Sequence, residues 1–330
     1  MKRILPSFLL PVALFAAEPL PPFEMSIERL DPALDALIAP DTKVEKLAEG
    51  FNWSEGPTWF QGSVVFSDVP ENIVYQWKAG ATKADIFLKP SGMTTPTPGF
   101  REQGSNGLNV DAKGNLLICQ HGDRRISRYV NGKFETIADK YDGKRFNSPN
   151  DLALRRNGDI YFTDPPYGLE KLNDSPLKEM PWNGVYRVTS KGEVTLIVKD
   201  LTFPNGIGFS PDEKTLYVAV SDENHKVWMR YDVAADGTVS NGKVLADATA
   251  NKEDGLPDGL KVDSLGNVWA TGPGGVWVFA PDGKHLGTIK PPEAPANCGW
   301  GDDGKSLYMT ARTGLYRIKL AVAGMKPLYQ

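Results

Sequence analysis

Histidine and cysteine are scarce in this chain, with three of the first and two of the second among 330 residues. The histidines stand far apart, at His121, His225 and His285, so no paired-histidine or Cys/His zinc motif can be written. Two cysteines, Cys119 and Cys298, are too few for a disulfide framework. An exported chain could join them, but the reading adopted is two buried thiols. There is no excess of basic residues. Net charge is −4 and the isoelectric point is near 5.6, which argues against a nucleic-acid partner. No segment beyond the N-terminus is long and apolar enough to cross a bilayer. Helical periodicity is almost missing, the exception being a short amphipathic stretch from Asp31 to Ile38. That absence excludes helical solenoids and a (β/α)8 barrel. Neither a Gly-x-Ser-x-Gly elbow nor a phosphate or dinucleotide loop occurs.

The first residues read as a secretory signal. Lys2 and Arg3 precede an apolar run from Ile4 to Ala17, too short to span a membrane. Cleavage is expected near Ala16 or Ala17, giving a periplasmic or secreted protein that does not engage the membrane afterwards. The expected organisation is a signal at 1–17, an extension with a short helix at 18–42, and one domain at 43–330.

What the chain does have is a repeat. Six polar residues, Glu55, Asn106, Asn150, Asn205, Asp258 and Asn297, each precede an apolar run centred on Val65, Leu117, Tyr161, Tyr217, Trp269 and Tyr308. The offsets are 10, 11, 11, 12, 11 and 11 residues, and successive centres are 52, 44, 56, 52 and 39 apart. Periods of about 40–50 residues with short strand-like runs are those of propeller blades. Asn157-Gly158, Lys113-Gly114, Leu265-Gly266 and Asp303-Gly304 supply turns before the runs. The fold class is therefore all-β, a six-bladed β-propeller. Lys43 to Leu47 is expected to close the ring against Leu315 to Leu320, which hides two sheet edges. Small residues two past each centre (Ser67, Cys119, Thr163, Ala219, Thr271, Thr310) suit the taper of blades toward the axis.

In a propeller the innermost strands line a central channel, so the six polar residues are expected to converge there. Two carboxylates and four amides form an oxygen-only donor set whose −2 charge matches one hard dication, Ca²⁺ above all. The alternative is that the asparagines only bond turn backbone. Antiparallel second strands return to the same mouth and bring Asp68, Gln120, His121 and Asp164 near the ring. The stretch from Pro165 to Trp182 breaks the blade rhythm and fits a loop over that mouth.

The motifs Ser-Glu-Gly-Pro-Thr-Trp (54–59), Asn-Ser-Pro-Asn-Asp-Leu (147–152), Phe-Thr-Asp-Pro-Pro-Tyr-Gly (162–168), Phe-Pro-Asn-Gly-Ile (203–207) and Pro-Asp-Gly-Leu (257–260) occur in order. Through them the chain resembles the family of senescence marker protein, gluconolactonase and luciferin-regenerating enzyme, most nearly its bacterial gluconolactonases. Diisopropylfluorophosphatase-like enzymes look similar at the metal positions. The resemblance implies a six-bladed propeller with one catalytic divalent cation on Glu55, Asn150, Asn205 and Asp258, with Asp258 also the general base. Zn²⁺, Mn²⁺ or Mg²⁺ serve some relatives. It implies substrate contacts from Asn106, Gln120, His121, Asp164 and Asn297. The substrate implied is a small-molecule sugar lactone such as glucono-1,5-lactone; a phosphoester hydrolase and a non-enzymatic ligand-binding propeller stand as alternatives. Ser148 occupies a position where the animal pattern has arginine, so sugar recognition is not carried over unaltered. The sequence carries no signal of oligomeric state.

Overall fold

Apolar-rich strands of three to nine residues separated by glycine-bearing turns cannot bury both faces alone, so each set of four strands stacks on its neighbours. The computed structural model describes residues 25–328, and the expected signal lies outside them. Among the described residues there is no α-helix; two short 3-10 turns are the only helical elements. Six antiparallel sheets follow one another as blades. Their innermost strands are Ser54–Phe60, Ser105–Val110, Leu152–Leu154, Pro204–Phe209, Leu260–Val262 and Pro295–Gly301. The turn after the innermost strand needs a left-handed residue. Gly114, Gly158, Gly266 and Gly304 supply it at φ of 79–89°, while Glu213 takes the place in blade four at φ 58°.

The ring closes as expected. Val44–Glu49 forms the outer strand of blade six, with Val44 opposite Ile318 and Glu49 opposite Gly314. A second closure was not legible in the sequence: Ser26–Arg29 adds a fifth strand to blade five, pairing with His285–Lys290. Between these strands Asp31 caps the 3-10 turn Pro32–Ala36 by accepting from the Ala33 amide at 2.9 Å. The turn drives Leu34, Leu37 and Ile38 into the seam between blades five and six. The remaining seams carry their own apolar clusters, for example Phe146, Phe162 and Tyr186 between blades two and three, and Trp228, Ala270 and Phe279 between four and five. Cys119 and Cys298 are buried free thiols in separate seams.

The small residues beyond each centre do more than fit the taper. Ser67 Oγ donates to the Asn106 carbonyl at 2.8 Å, Thr163 Oγ1 to the Asn205 carbonyl at 2.7 Å, and Thr271 Oγ1 to the Ala296 carbonyl at 2.9 Å. Each hydroxyl thus stitches its blade to the next one at the polar ring.

Candidate active site on the propeller axis

The ladder between first and second strands breaks where the ring residues stand. Register shifts fall between Glu55 and Thr58, Ser105 and Leu108, Pro204 and Ile207, and Pro295 and Asn297. In blades three and five the strand begins only two residues after Asn150 and Asp258. Such bulges re-aim a side chain, here toward the axis. Glycines directly after four ring residues let adjacent blades approach. A Cβ on Gly206 would lie 2.2 Å from the Asp258 carbonyl oxygen, and one on Gly107 would lie 2.6 Å from that of Asn150; Gly56 and Gly259 are equally confined. That Glu-Gly, Asn-Gly and Asp-Gly pattern was visible in the sequence and would have reported the crowding.

The ring is buried, with Glu55, Asn106, Asn150, Asn205 and Asn297 nearly sealed and Asp258 half-buried at the mouth. Four of its oxygens lack donors. Asn106 Oδ1, Asn150 Oδ1, Asn205 Oδ1 and Asp258 Oδ1 are all buried without a hydrogen-bond partner. For Asn205 the orientation has a cause: its Nδ2 donates to Ser221 Oγ at 2.9 Å, and Ser221 in turn donates to the Pro257 carbonyl. Glu55 Oε2 accepts from the Gly56 amide at 3.0 Å and from Asn297 Nδ2 at 3.1 Å. Burial pushes the Glu55 carboxyl up to about 7, against those two bonds. Burial and then the Glu55 charge push Asp258 well above the usual carboxylate range. Asp151 follows Asn150 and adds a third carboxylate, balanced by Lys261 Nζ reaching from blade five at 3.6 Å. When both are ionised, Glu55 and Asp258 leave the set with two uncompensated negative charges.

Buried acceptors without donors are rare because each costs roughly 1–3 kcal/mol. Four of them, three on amides and one on Asp258, beside Glu55 fit a hard dication, which needs oxygens and charge neutralisation but no N–H donors. Among the described residues no group of three or more His, Cys, Asp or Glu side chains stands ready for a metal. The donors here are mostly amide oxygens, so Glu55, Asn150, Asn205 and Asp258, with Asn106 beside them, could hold the ion.

Three residues expected at the substrate use their polar atoms elsewhere. Asn297 donates to Glu55 and accepts the Cys298 amide at 2.8 Å, so it orients a carboxylate. Gln120 donates to the Ser91 carbonyl at 2.8 Å and accepts from Arg125 Nε at 2.6 Å. Asp164 accepts the Asn147 and Ser148 amides at 2.7 and 2.9 Å, holding the turn before Asn150. Asp68 does the same for Asn52 and Trp53 before Glu55. For Gln120, Asp164 and Asp68 the end of the second strand meets loop backbone before it meets the channel. His121, by contrast, is buried with both ring nitrogens free. Sequence reasoning missed Ser221, Glu102 and Tyr167 as individual residues. Tyr167 lies in a quoted motif, stacks on Phe203 at 5.8 Å, and has its phenol pushed up by burial and by the Asp258 charge. The stretch 165–183 is pinned over the mouth: Ser148 Oγ donates to the Pro165 carbonyl at 2.6 Å and accepts the Gly168 amide at 2.9 Å. The opposite mouth opens on a cavity of about 730 Å³ lined by Trp59, Phe209, Lys261 and Trp300, away from the ring oxygens.

Fold and site together define a six-bladed propeller with an oxygen-lined axial centre. Residues 53–313 match the model of the SMP-30/Gluconolactonase/LRE-like region, and the chain belongs to that family. It is 40% identical over 311 residues to a gluconolactonase of Zymomonas mobilis, covering 90% of this chain and 87% of that one. A solved gluconolactonase of Xanthomonas campestris superposes with a TM-score of 0.78 at 32% identity, covering 93% of this chain and 99% of that structure. The diisopropyl-fluorophosphatase of Loligo vulgaris is 26% identical over 278 residues, 80% of this chain and 87% of its own.

Proposed function

We propose that this chain is a metal-dependent lactonase that opens a sugar lactone such as glucono-1,5-lactone. The observation that carries the reading is the cluster of donorless oxygens on Asn106, Asn150, Asn205 and Asp258 beside Glu55, in a chain 40% identical to a gluconolactonase. Glu55, Asn150, Asn205 and Asp258 would hold one divalent cation, with Ca²⁺ favoured by the donor type. Such an ion supplies Lewis-acid polarisation of the lactone carbonyl and stabilises charge on the tetrahedral oxygen. Asp258 stands at the open side of the ring and takes the proton of the attacking water. Asn150 and Asn205 would hold the ion through the oxygens they present. The stretch 165–183 shields the mouth from bulk water, and export to the periplasm or beyond follows from the signal at 1–17.

The test is lactone hydrolysis after chelation, with Ca²⁺, Zn²⁺, Mn²⁺ and Mg²⁺ restored one at a time. Activity should vanish and return, and Asp258→Asn should abolish it with the ion bound. Near-normal turnover by Asp258→Asn removes Asp258 as the base. Likeness to the squid diisopropyl-fluorophosphatase supports a second reading, cleavage of a phosphofluoridate at the same centre. Turnover of that substrate without any lactone would install it instead. A metal that cannot be exchanged, with no turnover at all, would leave a binding propeller.

A further inference from the structure

Two loops outside the blade repeat meet over the ring. Arg101 N donates to the Gly168 carbonyl at 3.0 Å, Glu170 N donates to that of Gly99 at 3.0 Å, and Phe100 bridges to Leu169. Their junction roofs His121: a Cβ on Gly168 would lie 2.8 Å from His121 Cβ. Under the roof His121 Nδ1 stands 3.6 Å from Glu102 Oε2, and neither ring nitrogen has a hydrogen-bond partner. A fully buried imidazole with two unused nitrogens is expensive, and nothing in the scaffold uses it. Beside Glu102 stand His121 and Arg101, the latter at 3.2 Å from Oε1, and Glu55, Asp258 and Tyr167 lie near enough to feel its charge.

We propose that Glu102, backed by His121, is the acid that protonates the departing ring oxygen of the lactone. The assignment rests on the lactonase reading above. Water oxygen bonds to the carbonyl carbon and its proton passes to Asp258. Collapse of the tetrahedral adduct breaks the bond from that carbon to the ring oxygen. The electron pair left on the ring oxygen takes the Glu102 proton, giving a hydroxy acid. Asp258 then gives up its proton to solvent and Glu102 is reprotonated from solvent, to which its side chain is 20% exposed. Asp258 and Glu102 thereby divide base and acid between the ring and the roof. Burial pushes Glu102 up to about 7, against the Arg101 charge, and His121 down to about 3. At neutral pH the imidazole is uncharged and about half of the Glu102 carboxyls hold a proton to give. Activity should fall as pH rises through the Glu102 value.

The test compares leaving groups. An alkyl δ-lactone such as glucono-1,5-lactone expels an alkoxide, which needs a proton; dihydrocoumarin expels a phenoxide, which does not. Glu102→Gln in the cation-loaded protein should lose on the order of 100-fold in kcat/KM on the alkyl lactone, lose far less on dihydrocoumarin, and lose the alkaline limb of the pH profile. An equal loss on both lactones marks a scaffold role and overturns the assignment, as does full activity on the alkyl lactone. Where wild-type protein does not open dihydrocoumarin, persistence of the alkaline limb in Glu102→Gln overturns it. Wild-type protein that opens neither lactone overturns the lactonase reading, and this assignment with it.

Discussion

Replacing Asn297 by alanine should weaken calcium binding without touching a ligand. Asn297 is buried, and its Nδ2 donates to Glu55 Oε2 at 3.1 Å while its Oδ1 is occupied by the Cys298 amide. The amide therefore has one task at the ring, to hold a carboxylate in its charged form and in place. A hydrogen bond to a charged group is worth about 1.5–3 kcal/mol. At about 1.4 kcal/mol per decade that is roughly 10- to 150-fold in affinity. Outer partners of metal ligands typically contribute about 10–100-fold, so the two estimates agree. Without this bond Glu55 rises further above its already elevated position, so protons compete harder for it and the loss should grow toward lower pH. The assay is isothermal titration of Ca²⁺ into chelator-stripped protein at two pH values. Asn109→Ala is the control, since Asn109 Nδ2 bonds the Leu152 carbonyl at 3.3 Å and does not touch Glu55. A dissociation constant for Asn297→Ala within about twofold of wild type would refute the reasoning, because that is under about 0.4 kcal/mol.

Glu55→Gln should chiefly raise the calcium requirement, with hydrolysis recovered at high Ca²⁺; loss of turnover that no calcium concentration restores would give Glu55 a role in the chemistry. The stabilisation given by Ca²⁺ should grow as pH rises from 5 to 7. Glu55 and Asp258 are raised in the cation-free fold, so their neutral forms stabilise it below the ordinary carboxylate range and that stability is lost as pH climbs, for Glu55 through about 7. Calcium takes over where protons leave, and a thermal shift that does not change with pH would contradict this. Thr163→Val should destabilise the fold by about 1–3 kcal/mol in urea, because the Asn205 carbonyl and the Asp151 amide, at 2.7 and 3.2 Å from its hydroxyl, lose their partner. A change under about 0.5 kcal/mol would show that the interblade stitch is dispensable.

The sequence by itself determined the six-blade repeat, the ring residues and the closure of blade six through Val44–Glu49. These are legible because each is written locally: a polar residue, a turn and an apolar run recur at nearly constant spacing, and strand alternation fixes which side chains are inward. Tertiary structure alone decided what each polar atom faces. Asn205 and Asn297 occupy equivalent places in the repeat, yet Ser221 turns the Asn205 oxygen free while Glu55 claims the Asn297 amide. Gln120 and Asp164 stand where a rim was expected and bond the scaffold. Lys261 reaches Asp151 from another blade, and Glu102 comes from a loop with no repeat to mark it. An amide is symmetric to a sequence reader but not to its neighbours. Which end it presents depends on residues dozens or hundreds of positions away that only the closed ring brings within bonding distance.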